Sequence, residues 1–127
     1  MSIRSKALQW YEAKYGGLEL PIYTSKFYRP EESWPKKAVW WPMIPIETIG
    51  SKKHSYVNIL CQVAPGKNDF HYLKVPATFL NENLKKFHIL QGKIALYLSA
   101  DPGRLFVEER GEGKLDFNIF LVTDSKS

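Results

Sequence analysis

The chain has 127 residues, 44% hydrophobic and 24% charged, which suits one core and is too short for two comfortable domains. No run approaches the roughly 18 apolar residues that span a bilayer, and the lone Cys61 excludes an intramolecular disulfide and points to a reducing compartment. The net charge is +5, with nine Lys or Arg against five Glu over residues 1–53 and nine against eight acids over residues 54–127. The excess therefore precedes the middle of the chain, where it would attract phosphate backbones or anionic surfaces. The start, MSIRSKALQW, lacks the apolar run of a signal peptide. The expectation is a soluble, cytoplasmic, single-domain protein with no membrane partner.

Residues 3–15 read as an amphipathic helix, with Ile3, Ala7, Leu8, Tyr11 and Tyr15 on one face and Gly16-Gly17 ending it. Residues 1–17 would then be a helix docked over the body, since so short a helix is marginal alone. Residues 18–54 are irregular. Prolines 21, 30, 35, 42 and 45 forbid a long helix, leaving short strands near residues 20–23 and 39–44. A loop this long is usually functional or disordered, and its tryptophans argue against disorder.

Residues 55–123 form the predicted sheet-and-helix core. Two runs, 55–63 and 70–75, flank the turn-forming APGKND and read as a hairpin, with Val63 opposite Phe70 and Cys61 opposite Tyr72. Pro76 opens a helix over 77–88 with Leu80, Leu84 and Phe87 inward. Gln91-Gly92 breaks it, and runs 93–99, 105–109 and 115–122, joined by glycine-containing turns, read as further antiparallel strands. The predicted fold class is α+β: a curved, mostly antiparallel sheet of about five to seven strands, open or half-closed as a barrel, with two short helices. Its expected core is Ile59, Leu60, Leu73, Val75, Leu80, Leu84, Phe87, Ile94, Leu96, Leu98, Val107, Phe117 and Ile119.

Few residues fit known reaction chemistry. His54, His71 and His88 stand apart, and with one cysteine and no HxxxH or CxxC no metal site is expected. A metal-dependent nuclease needs an acid followed by an acid-x-Lys pair on neighbouring strands. Asp101 with Glu112-Gly113-Lys114 matches that order, but in glycine turns rather than strands; Glu12-Ala13-Lys14 has no acidic neighbour. The hairpin register puts Cys61 and His71 on opposite faces, which excludes a direct pair. No Walker A, GxGxxG or GxSxG motif is present, and no cofactor is expected.

The strongest signal is the block KFYRPEESWPKKAVWW, residues 26–41, in which cations alternate with rings. Lys26, Tyr28, Arg29, Trp34, Lys36, Lys37, Trp40 and Trp41 could stack bases and contact phosphates. Adjacent Trp40 and Trp41 must point opposite ways on a strand, so one belongs to the core. Lys74, alone among apolar residues mid-strand and placed on the face with Ile59, Cys61 and Tyr72, is either an edge lysine or a cation presented to a ligand. The expected function is binding of nucleic acid, DNA or RNA, by a basic, Trp-lined surface. The alternatives are a Mg²⁺-dependent nuclease using Asp101, Glu112 and Lys114, and an adaptor whose Trp and Arg residues engage a protein partner.

Overall fold

Local signals at both ends define the first element. Helix α1 spans Ile3–Tyr15, as its periodicity predicts. The Ser2 hydroxyl accepts the Ser5 N–H, and Gly16, in left-handed backbone, donates its N–H to the Glu12 carbonyl at 2.8 Å. The structure, a computed structural model, describes residues 2–33, 36–50, 53–111 and 113–123. The proline-rich third supports only short strands, β1 (Ile22–Ser25), β2 (Phe27–Tyr28), β3 (Val39–Trp40) and β4 (Met43–Pro45), then a short helix α2 (Ile46–Gly50). The hairpin follows as β5 (Tyr56–Gln62) and β6 (Phe70–Pro76), and Pro76 leads into α3 (Ala77–Glu82). Short strands β7 (Ile89–Leu90), β8 (Lys93–Ala95), β9 (Leu98–Ser99) and β10 (Leu121–Val122) complete the described elements.

The class is α+β, as expected. Among the described residues the strands number ten and divide among three sheets, none closed into a barrel, with three α-helices where two were expected. The first sheet has the order β1-β5-β6-β10, the second β2-β3-β9 and the third β4-β8-β7. Every pairing is antiparallel except β1 with β5. Residues 93–99, expected as one strand, split between two sheets. Leu96 donates its N–H to the Pro42 carbonyl in register with the β4–β8 pairing, but Pro42 has no N–H to return. Tyr97 donates its own to the Glu108 carboxylate at 2.9 Å, so the ladder ends there. Residues 105–109 and 115–122 form isolated bridges, Leu98 with Glu108 and Val107 with Asp116, before β10.

The hairpin register differs by one residue from the predicted one. Gln62 pairs with Phe70, Cys61 with His71, Ile59 with Leu73 and Asn58 with Lys74. The Gln62 side chain donates to the Lys67 carbonyl at 3.0 Å, Val63 N–H reaches the Asp69 carbonyl, and Gly66 supplies the left-handed turn residue, so Val63 belongs to the loop. Burial explains the choice. The observed register puts Val57, Ile59, Cys61, Leu73 and Val75 on one face, which packs on Trp40, Ile44, Ile94, Leu96, Leu98, Phe106 and Phe117. The opposite face carries Asn58, Leu60, Phe70 and Tyr72, and α1 covers it with Ala7 and Tyr11. Arg4 donates to the Ile22 carbonyl at 2.7 Å and the Trp10 indole to Asp69 at 2.8 Å, tying both halves of the helix down.

The helix expected over 77–88 stops at Glu82 and continues as a 3₁₀ turn over Leu84–Lys86. The Asn83 side chain donates to the Phe79 carbonyl at 2.9 Å, a local bond that competes with the helical ladder. Leu80 and Phe87 are buried and Leu84 is half-buried against the core. Val107 is also half-buried, while Ile119 is 72% exposed and does not belong to the core. Asp116 accepts the Asn118 N–H at 2.8 Å and turns the chain, so the alternation that would bury Ile119 is lost. Leu80→Ala should destabilise by about 2–5 kcal/mol and Leu84→Ala by less. Ile119→Ser should stay within about 0.5 kcal/mol of the parent. Denaturant midpoints check all three, and an Ile119 variant as damaging as the Leu80 one would overturn this assignment of the core.

Candidate functional site

Strand alternation in the second sheet decides which rings are offered to the outside. Phe27, Trp40 and Leu98 occupy matched positions and face inward; Tyr28, Val39 and Ser99 occupy the next set and face outward. Trp41 follows Trp40 and Tyr97 precedes Leu98, so both join the outward set. Trp40 is 1% exposed, stacked on Phe106 at 5.0 Å and donating its indole N–H to the Gln62 carbonyl at 2.6 Å. It is the core member of the Trp40-Trp41 pair and offers no face to a ligand.

Residues 29–33, with Lys37 tied to Ser33, fold over the outward face. Ser33 holds the turn closed, its hydroxyl donating to the Lys37 carbonyl at 2.6 Å and accepting the Lys37 N–H at 3.1 Å. Glu32 accepts the Arg29 N–H at 2.9 Å and the Lys26 ammonium at 3.3 Å. The Arg29 bond, with Lys26 beside it, holds the Glu32 carboxyl below its ordinary range, so it is an anion at neutral pH. The result is a cavity of about 190 Å³ lined by Tyr28, Glu32, Ser33, Val39, Trp41 and Tyr97. Trp41 lies edge-on to Tyr97 at 5.3 Å and tilted against Tyr28 at 6.1 Å. Cations back two walls: Lys26 lies 4.7 Å over Tyr28, and Arg110 lies 5.1 Å over Tyr97 and donates to its hydroxyl at 3.1 Å. The indole N–H of Trp41 is shielded from solvent and has no hydrogen-bond partner among the described residues.

The structure thus gathers Lys26, Tyr28 and Trp41 around one cavity, with Arg29 at the start of the turn that closes it. Lys36 and Lys37 are exposed at the turn's far end, Lys36 with a φ of 58°. Trp34 lies outside the described residues. Lys74 is not part of this group. In the observed register it shares a face with Asn58, Leu60 and Tyr72 rather than with Ile59 and Cys61. It pairs with Glu19 at 3.7 Å, lies 4.8 Å over the Tyr56 ring, and lines a separate cavity with Tyr11, Tyr15 and Tyr72. Tyr97 is the residue that sequence reasoning missed. Its signal was present: with Ile94, Leu96 and Leu98 inward, alternation puts Tyr97 outward.

The residues considered for catalysis serve local structure. Asp101 accepts the Gly103 N–H at 2.9 Å, capping the turn Pro102–Arg104, and the Lys114 ammonium donates to the Glu109 carbonyl. Glu112 lies outside the described residues. Among the described residues no three His, Cys, Asp or Glu side chains come together as metal ligands. Cys61 and His71 are direct cross-strand partners on one face, contrary to the expected register. Burial pushes the Cys61 thiol pKa far up and lowers that of His71, against a smaller opposing pull from Asp69. A neutral thiol beside a neutral imidazole is not an activated nucleophile. No helix among the described residues is long and apolar enough to cross a membrane. No protein-family model matches the chain, and the search of curated proteins and of solved structures returned no significant match.

His71, half-buried and edge-on to Trp40 and Phe106, gives a pH signature. Its pKa is lowered in the fold, so as pH falls below about 6.5 the unfolded chain takes up the proton first and stability declines. His71→Phe should therefore lose less stability than the parent between about pH 7.5 and 5.5, the pH range that brackets the unfolded-state value. Equal losses in denaturant titrations would show that His71 is not the group responsible.

Proposed function

We propose that this protein is a nucleic-acid-associated binding module that takes one unpaired base into the Tyr28–Trp41–Tyr97 cavity. The observation that carries it is the convergence of three rings from three strand segments on one sheet face, closed over by a basic turn. A volume of about 190 Å³ is below the roughly 300–1,000 Å³ that encloses a drug-sized ligand, and it suits a single heterocycle better than a whole nucleotide. Three rings and a carboxylate are also how a methylated ammonium is held. Charge favours the base: residues 26–37 carry Lys26, Arg29, Lys36 and Lys37 against Glu31 and Glu32, an excess that repels a cation and attracts a phosphate chain. The proposed setting is the cytoplasm, where a lone buried thiol such as Cys61 stays reduced.

Titration of tryptophan fluorescence with single- and double-stranded DNA and RNA at two salt concentrations tests the proposal. Single strands should bind more tightly than duplexes, because their bases need no unpairing. Trp41→Ala should cost about 1–3 kcal/mol with little change in salt slope. Replacing Lys36 and Lys37 together with alanine should weaken all sequences alike and lower the slope of log affinity against log salt by about 0.7 per lost contact. Absence of binding to any nucleic acid below about 100 μM at low salt, at the loose end of ordinary non-specific affinity, rejects the proposal.

A further inference from the structure

Beyond the aromatic cavity, the structure holds a second concavity in which three of the lining residues are cationic. A groove of about 310 Å³ is lined by Lys85, Lys86, Phe87, His88, Arg110 and Gly111. Among the described residues none of this lining is acidic. Lys85 and Lys86 belong to the 3₁₀ turn Leu84–Lys86, which follows the early end of α3.

One of the groove's cations, Lys86, is held along its stem by packing. A Cβ on Gly111 would collide with the Lys86 carbonyl oxygen, and one on Gly113 would lie 2.9 Å from the Lys86 Cδ. Gly111 therefore seats directly on the Lys86 backbone, where a side chain would collide, and Gly113 lies against the Lys86 stem. Glu108, 1% exposed, fixes the same turn from within, its carboxylate accepting the N–H groups of Tyr97, Arg110 and Gly111. A lysine pinned along its stem has already lost much of the rotamer freedom that a flexible surface lysine gives up on binding. Arg110 spans the two concavities, lining this groove while its guanidinium lies over Tyr97.

We propose that this groove is a phosphate site, taking a phosphodiester of the strand whose base enters the Tyr28–Trp41–Tyr97 cavity. The assignment of a strand rests on the base-binding reading, whereas the affinity of the groove for phosphate does not. Lys85 and Lys86 supply the charge, His88 a further donor, and the shared Arg110–Tyr97 wall sets base and phosphate on adjoining surfaces.

The test uses the full chain and the double variant Lys85→Met with Lys86→Met, which keeps both stems and removes both charges. Lys67→Met, a lysine of the β5–β6 turn that lines neither concavity, is the control. Thermal melting confirms that each variant is folded; if the double variant is not, Lys85→Met alone replaces it. Inorganic phosphate, a nucleoside and a single-stranded oligonucleotide are titrated in turn. For the parent, phosphate should shift the amide resonances of residues 85–88, and the oligonucleotide should show a steep salt slope. In the double variant the phosphate shifts should vanish and the slope should fall by about 0.7 for each lysine removed. Nucleoside quenching of tryptophan should stay unchanged in both. Unaltered phosphate shifts and slope in the double variant overturn the groove assignment. If phosphate binds and depends on the lysines but nucleoside does not quench, the groove stands as an anion site and the base cavity fails.

Discussion

The fold depends on how Trp40 is seated. Its ring stacks on Phe106, meets Phe27 and His71 edge-on, and its indole N–H donates to the Gln62 carbonyl at the end of β5. That bond joins the small second sheet to the central hairpin and satisfies a buried donor that would otherwise be costly. Gln62 works in three directions at once: its carbonyl receives Trp40, its side-chain oxygen receives the Phe27 N–H at 3.0 Å, and its side-chain nitrogen closes the hairpin turn. With Trp40 fixed inward, Trp41 has only the outward side, so the core contact and the candidate site are consequences of one strand position.

The polar interior follows a similar economy. Among the described residues the buried Glu108 side chain meets three backbone N–H donors and no cationic side chain, so backbone dipoles satisfy its oxygens. Asn58 receives the Tyr72 hydroxyl and donates to the carbonyls of Glu19 and Pro21, binding the start of β1 to the hairpin beneath α1. Burial raises the Tyr72 pKa, so its hydroxyl stays protonated and remains a donor. These polar groups align segments that apolar packing alone would leave free to slide.

Elements with strong local signals were legible in the sequence. Helix α1 had a serine cap, a glycine stop and apolar positions at helical spacing, and it lies where those signals put it. The hairpin strands were legible but their register was not, because the loop is closed by the Gln62 side chain and the Asp69 carbonyl, contacts that alternation does not encode. Leu80 and Phe87 were read as inward correctly, whereas Asn83 ended the helix through a side-chain bond that propensity alone does not forecast. For the site, the block 26–41 was visible as alternating rings and cations, and the opposite facing of Trp40 and Trp41 followed from strand geometry. The outward facing of Tyr97 also followed from alternation along residues 93–99. Its meeting with Tyr28 and Trp41 did not, because that run read as one strand of one sheet and splits between two. Lys85, Lys86 and Arg110 were hidden for a plainer reason: only tertiary packing of a glycine turn on Lys86 brings them together.

The topology of the first sheet carries a consequence for assembly order. Gln62 and Phe70 meet across a short loop, whereas Ile22 joins Asn58 in parallel and Leu121 joins Leu73 from late in the chain. Closing the long loops costs entropy that the hairpin avoids, so β5 and β6 form a nucleus on which the flanking strands condense. The second sheet, with two residues in each strand, can hold together only once Trp40 has docked on that nucleus. The face that gathers Tyr28, Trp41 and Tyr97 is then among the last parts of the chain to become ordered. A ligand on that face would add to the protection of those short strands from hydrogen exchange and leave β5 and β6 almost unaffected.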